Sequence, residues 1–279
     1  MSRFSASDAA LEGFRVIGRR WRIVAGWALF NLLGLLGACV VAGVLIAIAA
    51  FAATSSEAAG TAGAAVGALV LAFAAFAVEV MIVCALFRML LRGDPPGFLH
   101  LRLGADELRV AVVWLVMLTA FVAAGLLALY VAGLAGQAAG ARLGVPSLVI
   151  LFGVLVWLAI RLSLAAPASV AERRMGFVAS WRLTRGRAWA LLGMSAIALC
   201  LLAMIAIMAW LALALIGGAI SGWSDLGLLL RTDAEAMAER PGFYVAQLAV
   251  QFLFAPVLWV ISQAPLVAAY KAFAETRQA

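Results

Sequence analysis

Between Arg22 and Glu57 the chain carries no Asp, Glu, Lys or Arg, and the same is true from Arg109 to Arg142, from Arg187 to Asp225 and from Arg240 to Lys271. Two further stretches, Glu57 to Arg88 and Arg142 to Glu172, hold one charge each, Glu79 and Arg161. All six exceed the roughly 20 apolar residues that carry a helix across a bilayer. They are apolar throughout rather than at alternate positions, which excludes the strands of a membrane barrel. Charged residues make up 12% of the 279, about half the usual share of a soluble domain. The spacing predicts an all-α integral membrane protein, one domain over 1–279, with six transmembrane helices near 23–52, 64–90, 109–136, 146–170, 188–219 and 243–270.

Orientation follows from the basic residues, which accumulate on the cytoplasmic side of membrane proteins. Arg3, Arg15, Arg19, Arg20 and Arg22 precede helix 1; Arg88, Arg92, Arg102 and Arg109 lie between helices 2 and 3. Arg173, Arg174, Arg182, Arg185 and Arg187 lie between helices 4 and 5, and Lys271 and Arg277 follow helix 6. The opposite side has only Arg142, Arg231 and Arg240. Both termini are therefore expected in the cytoplasm. The basic excess is a topology signal and points to no nucleic acid. Arginine supplies all the basic residues but Lys271, and alanine is abundant, a composition typical of GC-rich bacteria. The expected location is a bacterial inner membrane. Gly18-Arg19-Arg20-Trp21 loosely matches a twin-arginine signal, and Leu36-Gly37-Ala38-Cys39 a lipoprotein cleavage site. A cleaved signal has an apolar core of about 7–15 residues, whereas this run continues to Thr54, so the segment is expected to stay as an uncleaved first helix.

The segments before helices 1, 3 and 5 look amphipathic at helical spacing. Leu11, Phe14, Gly18 and Trp21 share a face, with Arg15, Arg19 and Arg22 elsewhere. Phe98, Leu101, Ala105 and Leu108 repeat the spacing, with Arg102, Asp106 and Arg109 opposite; Phe177, Trp181 and Thr184 do so with Arg182 and Arg185. An apolar stripe beside an arginine stripe lies in the membrane interface, compensated by anionic headgroups. Three short interfacial helices are expected there, with Arg15, Arg19, Arg22, Arg102, Arg109, Arg182 and Arg185 contacting anionic phospholipid; ordinary solvated loops are the alternative. The recurrence, with FRVIGRRWRIVAG at 14–26 echoed by WRLTRGRAWALLG at 181–193, points to three repeats over 1–93, 94–175 and 176–279. Outside, Thr232 to Glu235 fits a helix-capping box and Pro241-Gly242 a stop.

Within the spans, polar residues recur at one depth. Glu79 lies nine residues before Arg88, Arg161 twelve before Arg173, Asn31 nine after Arg22 and Gln263 eight before Lys271; Thr119 and Ser195 stand at similar distances from Arg109 and Arg187. At 1.5 Å per residue that is about 12–18 Å inside the edge, near the bilayer midplane. A lipid-facing Arg at that depth costs at least about 2.5–3.5 kcal/mol, so Arg161 is expected to turn inward and pair with Glu79, with Asn31 and Gln263 adding hydrogen bonds. Such a layer serves either as structural glue or as a functional polar cavity. A milder alternative has Arg161 snorkelling to the edge of the span.

Catalytic chemistry is sparse. The one histidine, His100, falls in the second interfacial segment, where a solvated or headgroup-facing position is expected. There is no GxSxG elbow, no HExxH helix and no GxxxxGK[ST] loop. An enzyme would have to use Glu79 or exposed acids such as Asp94 and Asp106 without further support. Cys39, Cys84 and Cys200 fall in three different helices, as buried small side chains rather than a disulfide or metal set. No cofactor and no metal are called for.

RLSLAAPASVAE at 161–172, SWRLTRGRAW at 180–189, LRLGADELR at 101–109 and PLVAAYKAFAE at 265–275 resemble the bacterial membrane domain joined to some glycerophosphoryl diester phosphodiesterases, and its free-standing relatives. In that family the activity belongs to a separate soluble domain, so the resemblance implies an integral membrane protein linked to phospholipid or glycerophosphodiester handling, and no catalytic residue carries over. The expected function is a non-enzymatic inner-membrane protein with a lipid-linked anchoring, sensing or accessory role at the anionic leaflet, with membrane lipids as partners. A small transporter or channel-like protein lined by Glu79, Arg161, Asn31 and Gln263 is the alternative.

Overall fold

The first span begins well before its apolar run. The computed structural model describes residues 5–52, 57–93, 98–139, 141–221 and 241–278. Helix α1 (Ala6–Ala10) is capped by Ser5, whose hydroxyl accepts the Asp8 N–H at 3.3 Å. Helix α2 (Glu12–Ala52) then runs through the arginine-bearing segment into the membrane stretch, interrupted only by non-helical dihedrals at Arg20. The other long helices are α3 (Glu57–Leu91), α4 (Ala105–Ala139), α5 (Ala141–Leu162), α8 (Ala188–Ser221) and α9 (Pro241–Gln278). Two short ones, α6 (Ala165–Glu172) and α7 (Phe177–Leu183), join α5 to α8.

Six stretches are long and apolar enough to cross a membrane: Ala6–Phe51, Thr61–Leu91, Ala105–Leu134, Val145–Glu172, Ala188–Leu215 and Pro241–Thr276. Among the described residues there is no strand. Large apolar side chains stay open along these helices, with Val40 68%, Phe73 74% and Phe152 68% exposed. Contiguous apolar surface on this scale needs a hydrocarbon solvent. The chain is an all-α integral membrane protein with six transmembrane helices.

The three short helices expected on the arginine-rich side meet different fates. The first is absorbed into α2, with Arg20 as its only break. The second does not form: Phe98–His100 is a single 3₁₀ turn, and Ala105 onward belongs to the long helix α4. Leu108, on the expected lipid-facing stripe, is 67% exposed, while Glu107 beside it is buried. The third is α7, where Ala179, Ser180, Leu183 and Thr184 are buried, and Trp181 of the expected apolar stripe is 40% exposed. Pro241, expected as a stop, starts α9, where its missing N–H leaves no helical bond unmade. The capping box at Thr232 to Glu235 lies outside the described residues.

The chain divides into two compact units. The first comprises residues 1–12, 83–196 and 263–279. Its core joins Ala10, Leu164, Ala168, Leu191, Met194 and Ala269, all buried. The turn from α6 to α7 is tight. Arg173 adopts a left-handed conformation (φ +54°), Ser169 Oγ accepts the Gly176 N–H at 2.9 Å, and a side chain on Gly176 would strike the Ala165 carbonyl.

The second unit comprises residues 13–82 and 197–262. It is packed through small residues, as membrane helices commonly are. A Cβ on Gly13 would lie 2.6 Å from Ile261 Cα, so α2 starts directly against the backbone of α9. Gly63 and Gly67, a GxxxG pair on α3, receive Ala49 and Ile46 of α2. Trp27 and Asn31 of α2 are fully buried.

Candidate functional site

The end of α3 is buried on every side, from Ile82 through Met89. Within it Arg88 is only 2% exposed, a position a charged residue holds only when paired. Its Nη1 donates to Glu107 Oε1 in the first turn of α4, and its Nη2 donates to the His100 carbonyl at 2.8 Å. Leu99 and His100 both take left-handed dihedrals (φ +52° and +58°). Those conformations cost about 1–3 kcal/mol each. They turn the His100 carbonyl toward the guanidinium and bury the imidazole to 6% exposure. The solvated histidine expected from the sequence is thus corrected, because the left-handed turn folds it inward.

One turn on, Arg92 Nη1 pairs with Asp106 Oδ2 at 2.7 Å, and Nη2 donates to the Val170 carbonyl. That carbonyl belongs to the last turn of α6, where helical acceptors have no intrahelical donor. Arg109 closes on the other oxygen of Asp106 at 2.7 Å. Three arginines and two carboxylates therefore tie α3, α4 and α6 into one network inside the first unit. Asp106, expected exposed, is half-buried by it. Arg88 Nε, His100 Nδ1 and Glu107 Oε2 are buried in this network with no protein partner.

Arg161 lies in the last turn of α5, and its partners come from its own unit. Its guanidinium sits 5.3 Å from the Trp157 ring centre and 5.1 Å from that of Trp181, two rings set edge to face. Nη1 approaches the Trp181 carbonyl at 3.4 Å. The Arg161 carbonyl, free at the helix end, accepts Ser180 Oγ at 2.7 Å. Glu79, the expected ion-pair partner of Arg161, belongs to the second unit. The chain breaks helix after Leu162, and α7, preceded by Arg173 and Arg174 and carrying Arg182, brings Trp181 to the guanidinium. The guanidinium thus rests on two half-exposed tryptophans.

The rest of the expected layer divides between the two units. Gln263 belongs to the first unit, and Glu79 and Asn31 to the second. Glu79 is half-buried, while Thr119 and Ser195 stand on exposed faces. Asn31 has a specific role: its Nδ2 donates to the Phe252 carbonyl at 2.6 Å. In a continuous helix that carbonyl would accept from residue 256, which is Pro256 and has no N–H. Of the cysteines, Cys84 is buried, Cys39 partly so and Cys200 exposed, so the buried expectation holds for Cys84 alone.

Arg15, Arg19, Arg22, Arg102, Arg182 and Arg185 are exposed, whereas Arg109 is half-buried on Asp106. Arg182 and Arg185 have no protein ion-pair partner among the described residues. Beside them on α7, Val178 is 63% and Trp181 40% exposed. The hydroxyls here serve the backbone: Ser169 Oγ donates to the Ala165 carbonyl at 2.7 Å, and Thr184 Oγ1 to the Ser180 carbonyl at 2.9 Å. Among the described residues no three His, Cys, Asp or Glu come close enough to share a metal.

The Arg88–Glu107 and Arg92–Asp106 pairs have a sequence signal. Two arginines end one span, and two acids begin the next span at the same depth. Charges at matching depth on consecutive antiparallel helices can meet without crossing the membrane. No family model, curated protein or solved structure matches the chain.

Proposed function

We propose that this chain is a non-enzymatic, lipid-linked protein of the bacterial inner membrane, with both termini cytoplasmic. Its arginine-rich side docks on anionic phospholipid in an anchoring, sensing or accessory role. The observation that carries this is α7, where unpaired Arg182 and Arg185 share the exposed surface with Val178 and Trp181. The buried arginines of the neighbouring network are neutralised by protein acids, and these two are left for an external anion. Each basic group at such a surface is worth about 1 kcal/mol toward an anionic leaflet. The stretches 161–172 and 180–189 that resemble the phosphodiesterase membrane domain contain Trp181, Arg182 and Arg185, which adds support.

The test is native mass spectrometry of the purified protein after exchange into phosphatidylglycerol. Replacing Arg182 and Arg185 by Gln should lower the retained anionic lipid about tenfold or more, with a weaker salt dependence. Equal retention by the variant and the parent would overturn the reading.

A further inference from the structure

We infer that a cavity of about 280 Å³ in the first unit is a seat for the headgroup of a zwitterionic aminophospholipid. It lies between the start of α2, the end of α3 and the last turns of α9. Leu90, Val267 and Ala268 supply an apolar floor, and Glu12, Lys271 and Glu275 supply the rim. The volume is near the lower end of ligand pockets, about 300 Å³, which suits a headgroup and not a whole lipid. This inference rests on the lipid-facing reading of the arginine-rich side, to which all three rim residues belong by sequence position.

The charges select the ligand. Lys271 is the only lysine in a chain that otherwise uses arginine. It sits four residues before Glu275, on the same face of α9. Among the described residues neither has an ion-pair partner. A compact ammonium beside two carboxylates complements a ligand that carries one anionic and one cationic group a few bonds apart. Phosphoethanolamine has that layout: its phosphate meets Lys271, and its primary ammonium donates hydrogen bonds to Glu12 and Glu275. Phosphatidylglycerol offers the phosphate without the cation. Phosphatidylcholine offers a cation whose three methyl groups cannot donate. Ala268 keeps the floor open, since a longer side chain there would fill the space the glycerol end occupies.

The experiment compares retention of phosphatidylethanolamine, phosphatidylcholine and phosphatidylglycerol by native mass spectrometry of the full chain. Wild type should retain phosphatidylethanolamine about tenfold better than phosphatidylcholine, the worth of one charge-assisted hydrogen bond. Glu275→Gln, Glu12→Gln and Ala268→Leu should each remove that preference. Phosphatidylglycerol retention through Arg182 and Arg185 should stay unchanged. The two Gln variants are isosteric and keep the test valid if Ala268→Leu fails to fold. An undiminished ethanolamine preference in both Gln variants overturns the inference. So does equal retention of ethanolamine and choline lipids by wild type. Loss of phosphatidylglycerol binding only in the arginine variants, with no ethanolamine preference anywhere, refutes the cavity and leaves the docking reading intact. The converse pattern would refute the docking reading alone.

Discussion

The two units of this protein bury different things. In the first, Arg88, His100, Glu107, Ser169, Ser180 and Thr184 are buried, and each has a hydrogen bond through its side chain or backbone. In the second, Asn31 is the one buried polar side chain among the described residues, and apolar side chains such as Trp27 and Val260 pack beside close backbone approaches at Gly13, Gly63 and Gly67. The contrast follows from solvent. Lipid gives apolar side chains no reason to hide, so the second unit gains cohesion from close backbone approach and from satisfying a freed carbonyl. The first unit contains the helix ends of the arginine-rich side, where many terminal N–H and C=O groups need partners. Its arginines supply donors to the carbonyls of His100 and Val170 that the helices leave over.

The largest effect should therefore come from the first unit. Arg88→Ala leaves Glu107 buried and uncompensated, and should cost about 3–5 kcal/mol in unfolding measurements in detergent. Replacing the pair together, Arg88→Met with Glu107→Leu, should recover most of that loss, because a buried pair is worth little against an apolar couple of similar volume. If the double variant were as damaged as the single one, the guanidinium's bond to the His100 carbonyl would be the dominant contribution instead. In the second unit, Gly13→Leu drives a side chain into the α9 backbone at Ile261 and should cost about 1–3 kcal/mol. Its expected mark is loss of α2–α9 proximity by cysteine cross-linking, with the Arg88 network intact.

How much of this was legible beforehand depended on which kind of constraint each residue obeys. The six spans follow from the absence of charge, a property of each segment alone, and all six stand. Short-range amphipathic patterns marked Leu108 and Trp181 for a lipid-facing stripe, and both are exposed, but the pattern does not reveal that Glu107 beside Leu108 turns inward. Counting 1.5 Å per residue from Arg173 to Arg161 assumes one straight helix, and the chain interrupts it between Leu162 and Ala165, a break the apolar run does not announce. The Asn31 bond could have been anticipated from Pro256, although choosing Asn31 as its donor requires the packing of α2 against α9. The left-handed turn at Leu99 and His100 has no glycine to announce it.

A smaller effect should separate a specific polar bond from general packing. Asn31→Leu should cost about 0.6–1.7 kcal/mol, the usual range for hydrogen bonds between membrane helices. In a Pro256→Ala background residue 256 again offers an N–H to the Phe252 carbonyl, so the cost of Asn31→Leu should shrink toward zero. A cost unchanged by Pro256→Ala would show that Asn31 acts by filling space.

The smallest effect should come from Arg161, and it bears most directly on the contrast between the units. A partly exposed guanidinium resting on two half-exposed tryptophans gains about 0.5–1 kcal/mol from each cation–aromatic contact. Trp181→Leu should cost about that much, and adding it to Arg161→Gln should cost little more than Arg161→Gln alone, because the arginine change already removes the Trp181 contact. Tryptophan fluorescence should shift only slightly, since Trp157 stays at the same depth. A loss of several kcal/mol on Arg161→Gln would instead mark a charge held deep in the protein by an acid. Polar burial would then no longer be what distinguishes the first unit's arginine-rich helix ends.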